Sequence, residues 1–271
     1  MSSMMPSNLT IETLKKMFAE GKRFDGRKLL DMRDLSITLN VSNKAEGSAG
    51  VKIGKTEVLV GVKLAPGTPY PDSPDKGNLT VSGDLLPLAS PRFEMGPPHF
   101  PAIELPRLVD RAVRESHMIE LDKLVIEKGE KVWTVYIDIY PINDDGNLID
   151  ASTIGAIVAL KNTMIPELDK EGKIDYDKKP SKELPLAKGI APISFSFFKL
   201  GDSLILDPTR EEEEACETRI TLGISTWKGQ KMINSCQKNG KTPFTKEEID
   251  RMMDVIAEKC DDVSEKLKKF L

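Results

Sequence analysis

The sequence predicts a mixed α/β protein built from two related halves, and three observations predict it. Apolar and polar residues alternate at Leu35, Ile37, Leu39 and Val41, again over 132–139, at Ile193, Phe195 and Phe197, and at Ile220, Leu222 and Ile224. That period of two marks half-buried strands. A run of small and apolar residues from Ala151 to Leu160 reads as a helix buried on most sides. Lys52-Ile53-Gly54-Lys55-Thr56-Glu57-Val58 is echoed by Lys199-Leu200-Gly201-Asp202-Ser203-Leu204-Ile205. Internal duplication gives such an echo, and a chance likeness between two hairpins gives it equally well.

The elements follow in order. Residues 9–20 form an amphipathic helix with Leu9, Leu14, Met17 and Phe18 apolar and Gly21 placed to end it. After the first alternating strand, Val51 and Ile53 start a second, Gly54-Lys55 turns, and Val58 to Leu64 is a buried strand. The stretches 65–78 and 87–101, rich in Pro, Gly and Asp, are loops. A helix over 104–117 has Leu105, Leu108, Val109 and Ala112 at i, i+3, i+4 and i+7. Residues 132–139 make a central strand, and 143–147 a tight turn. The charged, Pro-bearing stretch 166–187 is a surface connection. A second hairpin turns at Gly201-Asp202. A long helix starts at Lys246 behind a Thr245/Glu248 capping box, with Ile249, Met252, Met253, Ile256 and Val263 on its apolar face. The expected division is a lead-in over 1–24, a first half over 25–165, the connection over 166–187 and a second half over 188–271.

Composition narrows the function. The 271 residues carry 39 Lys+Arg against 43 Asp+Glu, a net charge of −4, so a whole-surface coat of nucleic acid is excluded while a local basic face is not. With 39% hydrophobic residues the chain can bury a sizeable core. Three widely spaced cysteines, Cys216, Cys236 and Cys260, give neither a disulfide framework nor a metal motif and read as free thiols. No run approaches the roughly 20 apolar residues of a membrane span, and the amino terminus lacks a signal-peptide pattern. A cytoplasmic protein without membrane association or cofactor is expected.

Few residues offer chemistry. The two histidines, His99 and His117, stand in no metal or triad pattern and read as surface or packing residues, and no phosphate-cradling glycine motif is present. No metal ligands or catalytic residues are assigned. The acidic run 211–214 could hold a cation or shift its own pKa values. The preferred reading is a solvated helix start, because Glu in a first turn complements the helix dipole. Arg107, Arg111 and Arg114, at i, i+4 and i+7 of the helix over 104–117, form one stripe away from the apolar one. A spaced row of forked donors suits successive phosphates. Pairing with Asp110 and Glu115 on a solvated face accounts for the row equally well.

One resemblance ties these segments together. Lys22-Arg23-Phe24-Asp25-Gly26-Arg27, then Asp84-Leu85-Leu86-Pro87, then Arg107-Leu108-Val109-Asp110-Arg111, and then the Asp145-Gly146 turn before a Gly-Ala-rich helix resemble the RNase PH family in order and spacing. The variant most resembles the larger, non-catalytic RNase-PH-type subunit of the archaeal exosome. The resemblance implies a pseudo-duplicated fold of βαβ halves, related to the ribosomal protein S5 domain 2-like fold. It implies a place in a hetero-hexameric ring of three heterodimers with a catalytic RNase PH-type partner that degrades RNA 3′-to-5′ by phosphorolysis. Cap proteins of S1 or KH type would sit on one face, and single-stranded RNA would contact Arg107, Arg111 and Arg114. Catalytic relatives carry a Gly-Ser/Thr-Arg phosphate loop where this chain has Asn147, Leu148 and Ile149. They carry a pair of aspartates where it has Glu213 and Arg219. Both departures point to a subunit without chemistry of its own. The alternatives are a self-sufficient phosphorolytic exoribonuclease with Glu213 as general acid, and a small-molecule enzyme built on the acidic run.

Overall fold

The computed structural model describes residues 6–180 and 182–271. Helix α1 (Asn8–Ala19) opens the chain, capped by Ser7, whose hydroxyl accepts the Thr10 N–H at 3.1 Å. The first sheet holds β1 (Leu35–Leu39), β2 (Gly47–Ile53), β3 (Thr56–Gly67) and β4 (Asn78–Gly83). After α2 (Phe100–Glu115) it gains the short β5 (Val125–Glu127) and the long β6 (Lys131–Asn143). Its order is β1-β2-β3-β6-β4, with β5 also on β6. Every pair is antiparallel except β4 with β6, which α2 joins as a crossover. Helix α3 (Leu148–Lys161) and a small β7 (Met164–Ile165) and β8 (Lys182–Glu183) ribbon follow. The second sheet comprises β9 (Ile193–Leu200), β10 (Ser203–Leu206), then, after α4 (Arg210–Ala215), β11 (Thr218–Trp227) and β12 (Gln230–Gly240). Its order is β10-β9-β11-β12, all antiparallel, and α5 (Lys246–Leu267) closes the chain.

Helix α3 is the centre of the molecule. It packs on β2 and β3 on one side and on β9 on the other, and every residue from Leu148 to Leu160 is buried. Its approach to β3 needs Gly155, because a Cβ there would lie 2.6 Å from Val60 Cγ2. Strand β9 is buried along its whole length, since alternate residues face opposite layers. Ser196 faces α3, and Lys199 faces α5, where it pairs with Glu248 at 2.7 Å. The hairpin echo has one geometry in both places: Gly54 at φ +57° and Gly201 at φ +59° lead two-residue turns, the position where glycine is favoured.

Several boundaries differ from expectation for local reasons. Strand β1 stops at Leu39 because Asn40 turns left-handed at φ +55°. Helix α2 starts inside the expected Pro-rich loop: Pro101 sits in its first turn, where a missing N–H costs nothing. The connection over 166–187 is not wholly superficial, since Leu184 is buried against the core. Strand β12 has no counterpart in the sequence reading. It is an edge strand whose side chains are mostly exposed, so it lacks an apolar rhythm. All three cysteines are free. No helix among the described residues is long and apolar enough to cross a membrane.

Candidate functional site

The acidic run folds back onto the start of α3. Asn147, the N-cap residue, is left-handed at φ 58°, and its N–H donates to Glu213 Oε2 at 2.7 Å. One of the chain's own carboxylates thereby occupies the end of the helix where free N–H groups and the dipole attract an anion. The run does start a helix, α4, with Glu211, Glu212 and Glu213 in its first turn, but of the four acids only Glu211 is exposed. Glu212 is buried and paired with Arg23, and Glu213 and Glu214 are partly buried, because α4 is wedged between the two halves rather than lying on the surface. A Thr209/Glu212 capping box fixes the start of α4. Burial pushes the Glu213 carboxyl up, and the Asn147 N–H and the charge of Arg92 only partly offset it. Arg92 bridges Asp144 at 2.8 Å and Glu214 at 3.2 Å. Arg219 is held by Glu104 at 2.8 Å, and Asn239 also donates to Glu104 at 3.2 Å. Arg92, Glu104, Asn147, Glu213 and Arg219, together with Phe93, Leu148, Ile149 and Phe198, line a narrow cavity of about 60 Å³.

Behind this cavity lies a buried ion network that joins the two halves. Arg23 donates to Glu212 and to the Leu206 and Asp207 carbonyls. Arg27 reaches Asp207 Oδ2 at 3.2 Å and the Asp31 carbonyl at 2.9 Å. Arg33 does most: it donates to both carboxylate oxygens of Asp207 and to the carbonyls of Asp145, Gly146 and Pro208. Burial pushes the Asp207 carboxyl up, but the hydrogen bonds and charge of Arg33 more than offset that and hold it below the usual range. Asn147 Nδ2 adds a bond to Asp207 at 2.8 Å. The Lys22–Arg27 motif thus anchors the fold. Arg33, Arg92 and the Asn147 side chain were missed by sequence reasoning. Each stands in irregular backbone, and no spacing rule couples residues so far apart in sequence: Asn147 meets Asp207 across 60 positions and Arg33 meets it across 174.

Asp150 completes the inner cluster. It is fully buried in the first turn of α3 and accepts from the Ser196 N–H at 3.1 Å and the Ser196 hydroxyl at 2.8 Å. Burial raises its pKa to about 7, and the nearby Asp207 charge adds to that.

The arginine row lies on α2, whose apolar stripe of Leu105, Leu108, Val109, Ala112 and Val113 is buried. Arg107 is exposed and makes no ion pair among the described residues. Arg111 is exposed and pairs with Glu115 at 2.8 Å. Arg114 is different: its fork embraces Asp110 at 2.6 and 3.0 Å and reaches the Leu79 carbonyl at 3.0 Å. An exposed i, i+4 pair is worth about 0.3–0.5 kcal/mol, so Arg111 would give up its partner at little cost. Arg114 would have to leave three bonds. Both histidines are exposed. Among the described residues no group of three or more His, Cys, Asp or Glu is placed to hold a metal ion.

Residues 31–166 match domain 1 of the 3′ exoribonuclease family, RNase PH, and residues 191–258 match its domain 2. The chain belongs to the RNase PH family. Its RNase PH relatives include the exosome complex component Rrp42 of Methanosarcina acetivorans, 45% identical over 255 residues, which are 92% of each chain. The Rrp42 of Thermococcus kodakarensis is 42% identical over 99% of this chain and 96% of its own. Among solved structures, the Archaeoglobus fulgidus exosome with RNA bound to the active site contains a chain that superposes with a TM-score of 0.87 at 41% identity. That match covers 96% of this chain and 98% of the other. Rice Rrp46, at 18% identity and a TM-score of 0.66 over 92% of this chain and all of its own, shares the RNase PH fold.

Proposed function

We propose that this chain is a non-catalytic subunit of an archaeal-exosome-type ring, supporting a catalytic RNase PH-type partner in 3′-to-5′ phosphorolytic RNA degradation. The ring consists of three heterodimers, carries S1- or KH-type cap proteins on one face, and works in the cytoplasm. The role of the chain is to complete the RNA path, with Arg107 and Arg111 as phosphate contacts and Arg114 as a structural member of the same row.

The observation that carries the non-catalytic reading is the Glu213 carboxylate on the Asn147 N–H. The family resemblance puts inorganic phosphate at the start of α3. Here that end is filled by an acid of the chain itself, Leu148 and Ile149 offer no side-chain donor, and the second acidic position is Arg219, locked on Glu104. A phosphate approaching this end would meet the Glu213 carboxyl in its place and lose the Asn147 donor.

One observation favours the rival reading. Burial raises Glu213, as a general acid requires. Phosphate-dependent release of nucleoside diphosphates from RNA by the isolated chain separates the two. No turnover is expected at any phosphate concentration. Turnover that survives removal of every contaminating partner, and disappears in Glu213→Gln, establishes the rival.

A further inference from the structure

Beyond the last arginine of the row, α2 runs into a groove of about 560 Å³. Three exposed rings from three different segments stand at it. Tyr70, in the loop between β3 and β4, is 50% exposed, and Trp227, at the tip of the β11–β12 hairpin, is 47% exposed. His117 lies one residue beyond the α2 C-cap in left-handed backbone at φ 54°, a position that glycine fills without strain. Lys228, also left-handed, completes the hairpin turn and sets its ammonium 5.5 Å over the Trp227 ring.

The charges lining the groove nearly cancel. Lys76 and Arg114 stand against Glu115, Glu120 and Asp122, and Arg114 is further held by Asp110, Glu115 by Arg111 and Glu120 by Lys123. What the groove offers is therefore flat aromatic faces, at the end of a row of guanidinium groups. Arg114 belongs to both.

We propose that this groove is a base-stacking site for single-stranded RNA, in which bases of the strand whose phosphates follow Arg107 and Arg111 stack on Tyr70, His117 and Trp227. This rests on the RNA-contact reading of α2. Stacking on aromatic side chains is tolerant of sequence, because every base has a π-face. Having no phosphate partner, it adds affinity without adding salt dependence.

The test uses the full chain assembled with its catalytic homologue. Binding of labelled oligouridylate and oligoadenylate is measured across a salt titration. Tyr70→Ala/Trp227→Ala is compared with Tyr70→Phe/Trp227→Phe and with Arg107→Glu/Arg111→Glu. Loss of two stacked bases weakens binding roughly 30-fold or more. The alanine pair should show that loss at every salt concentration with the parental salt slope, and the phenylalanine pair should restore most of it. The arginine pair should flatten the slope instead. Photo-cross-links from 4-thiouridine should land on Tyr70, His117 or Trp227. If the alanine pair binds as the parent does and no cross-link reaches the groove, the stacking site is wrong while the arginine row can still stand. If only the arginine pair is silent, the row is wrong and the aromatic effect still supports the groove. A proline-rich peptide that occupies the groove and is not displaced by RNA also overturns the proposal.

Discussion

Asp150 is fully buried, with Ser196 as its hydrogen-bond donor and Asp207 as a like-charged neighbour. Its folded-state pKa of about 7 lies above the ordinary value of 3.8, so folding favours the neutral acid. The stability this confers is complete below about pH 4 and is lost as pH rises through about 7. Asp150→Asn should therefore raise stability on the alkaline side by on the order of 1–3 kcal/mol, less than the roughly 4 kcal/mol that three pK units imply. Denaturant unfolding at pH 5 to 8 reads this as a flatter pH profile for the variant; parallel profiles would refute it. Arg33 is the opposite case, a buried cation whose fork is met by the Asp207 carboxylate and three backbone carbonyls. Arg33→Ala leaves Asp207 under-compensated and should cost about 3–5 kcal/mol in the same assay. Arg33→Lys should recover little of it, because an ammonium cannot span the carboxylate and three carbonyls as a planar fork does. A lysine variant as stable as the parent would show that charge alone, not the fork, holds the two halves.

At the scale of the element, α2 carries two kinds of arginine in one row. Among the described residues Arg111 makes only an exposed pair with Glu115, whereas Arg114 ties its helix to the Leu79 carbonyl of β4 as well as to Asp110. Arg114→Ala should lower stability by about 1 kcal/mol or more, and Arg111→Ala by less than about 0.5 kcal/mol; thermal unfolding of the two proteins side by side checks the order. Arg107→Glu/Arg111→Glu should leave the fold and the assembly intact, since the buried stripe of α2 is untouched. It should nevertheless slow RNA degradation by the complex. Each phosphate contact to a single strand contributes roughly 0.7 to the salt slope, so binding should become about 1.4 shallower on a log–log plot. The loss should be similar for different RNA sequences, because phosphate contacts position a strand without reading it. Parental binding across the titration would reduce the row to a solvated helix face.

At the scale of the whole molecule, the segment leading into α2 and the first turn of α2 leave large apolar residues in water. Leu88 is 72%, Met95 77% and Phe100 63% exposed, and Ile103 on the same stretch is also exposed. Grouped exposure of this kind marks an interaction surface. An obligate interface buries roughly 2,000 Å² or more, and these side chains are suited to its apolar centre. Mixing with the catalytic homologue should move both proteins into one larger species on sizing. Leu88→Glu/Met95→Glu, which alters no buried contact, should return them to two peaks. A single parental peak for that variant would place the interface elsewhere.

The sequence by itself determined strands β1, β2, β3, β6, β9, β10 and β11, the buried helix, the glycine hairpins, the capping box of α5 and the position of the arginine row, but not β4 or the short β5, β7 and β8. Each of these is local: a period of two or 3.6, a turn residue, or a cap acts within a few residues of itself. It also determined, through the colinear motifs, the family to which the chain belongs. Strand β12 escaped because an exposed edge strand needs no apolar rhythm, only a neighbour to bond. The tertiary structure alone decided the fate of the charges. The run 211–214 reads as solvated in one dimension, yet Glu212 meets Arg23 across 189 positions and Glu213 meets Asn147 across 66. It likewise decided that Arg114 is engaged while Arg107 makes no ion pair among the described residues, and that Tyr70, His117 and Trp227 share one groove. The physical reason is that burial and long-range pairing set the energy of a charged or aromatic side chain, and those depend on which distant segment packs against it.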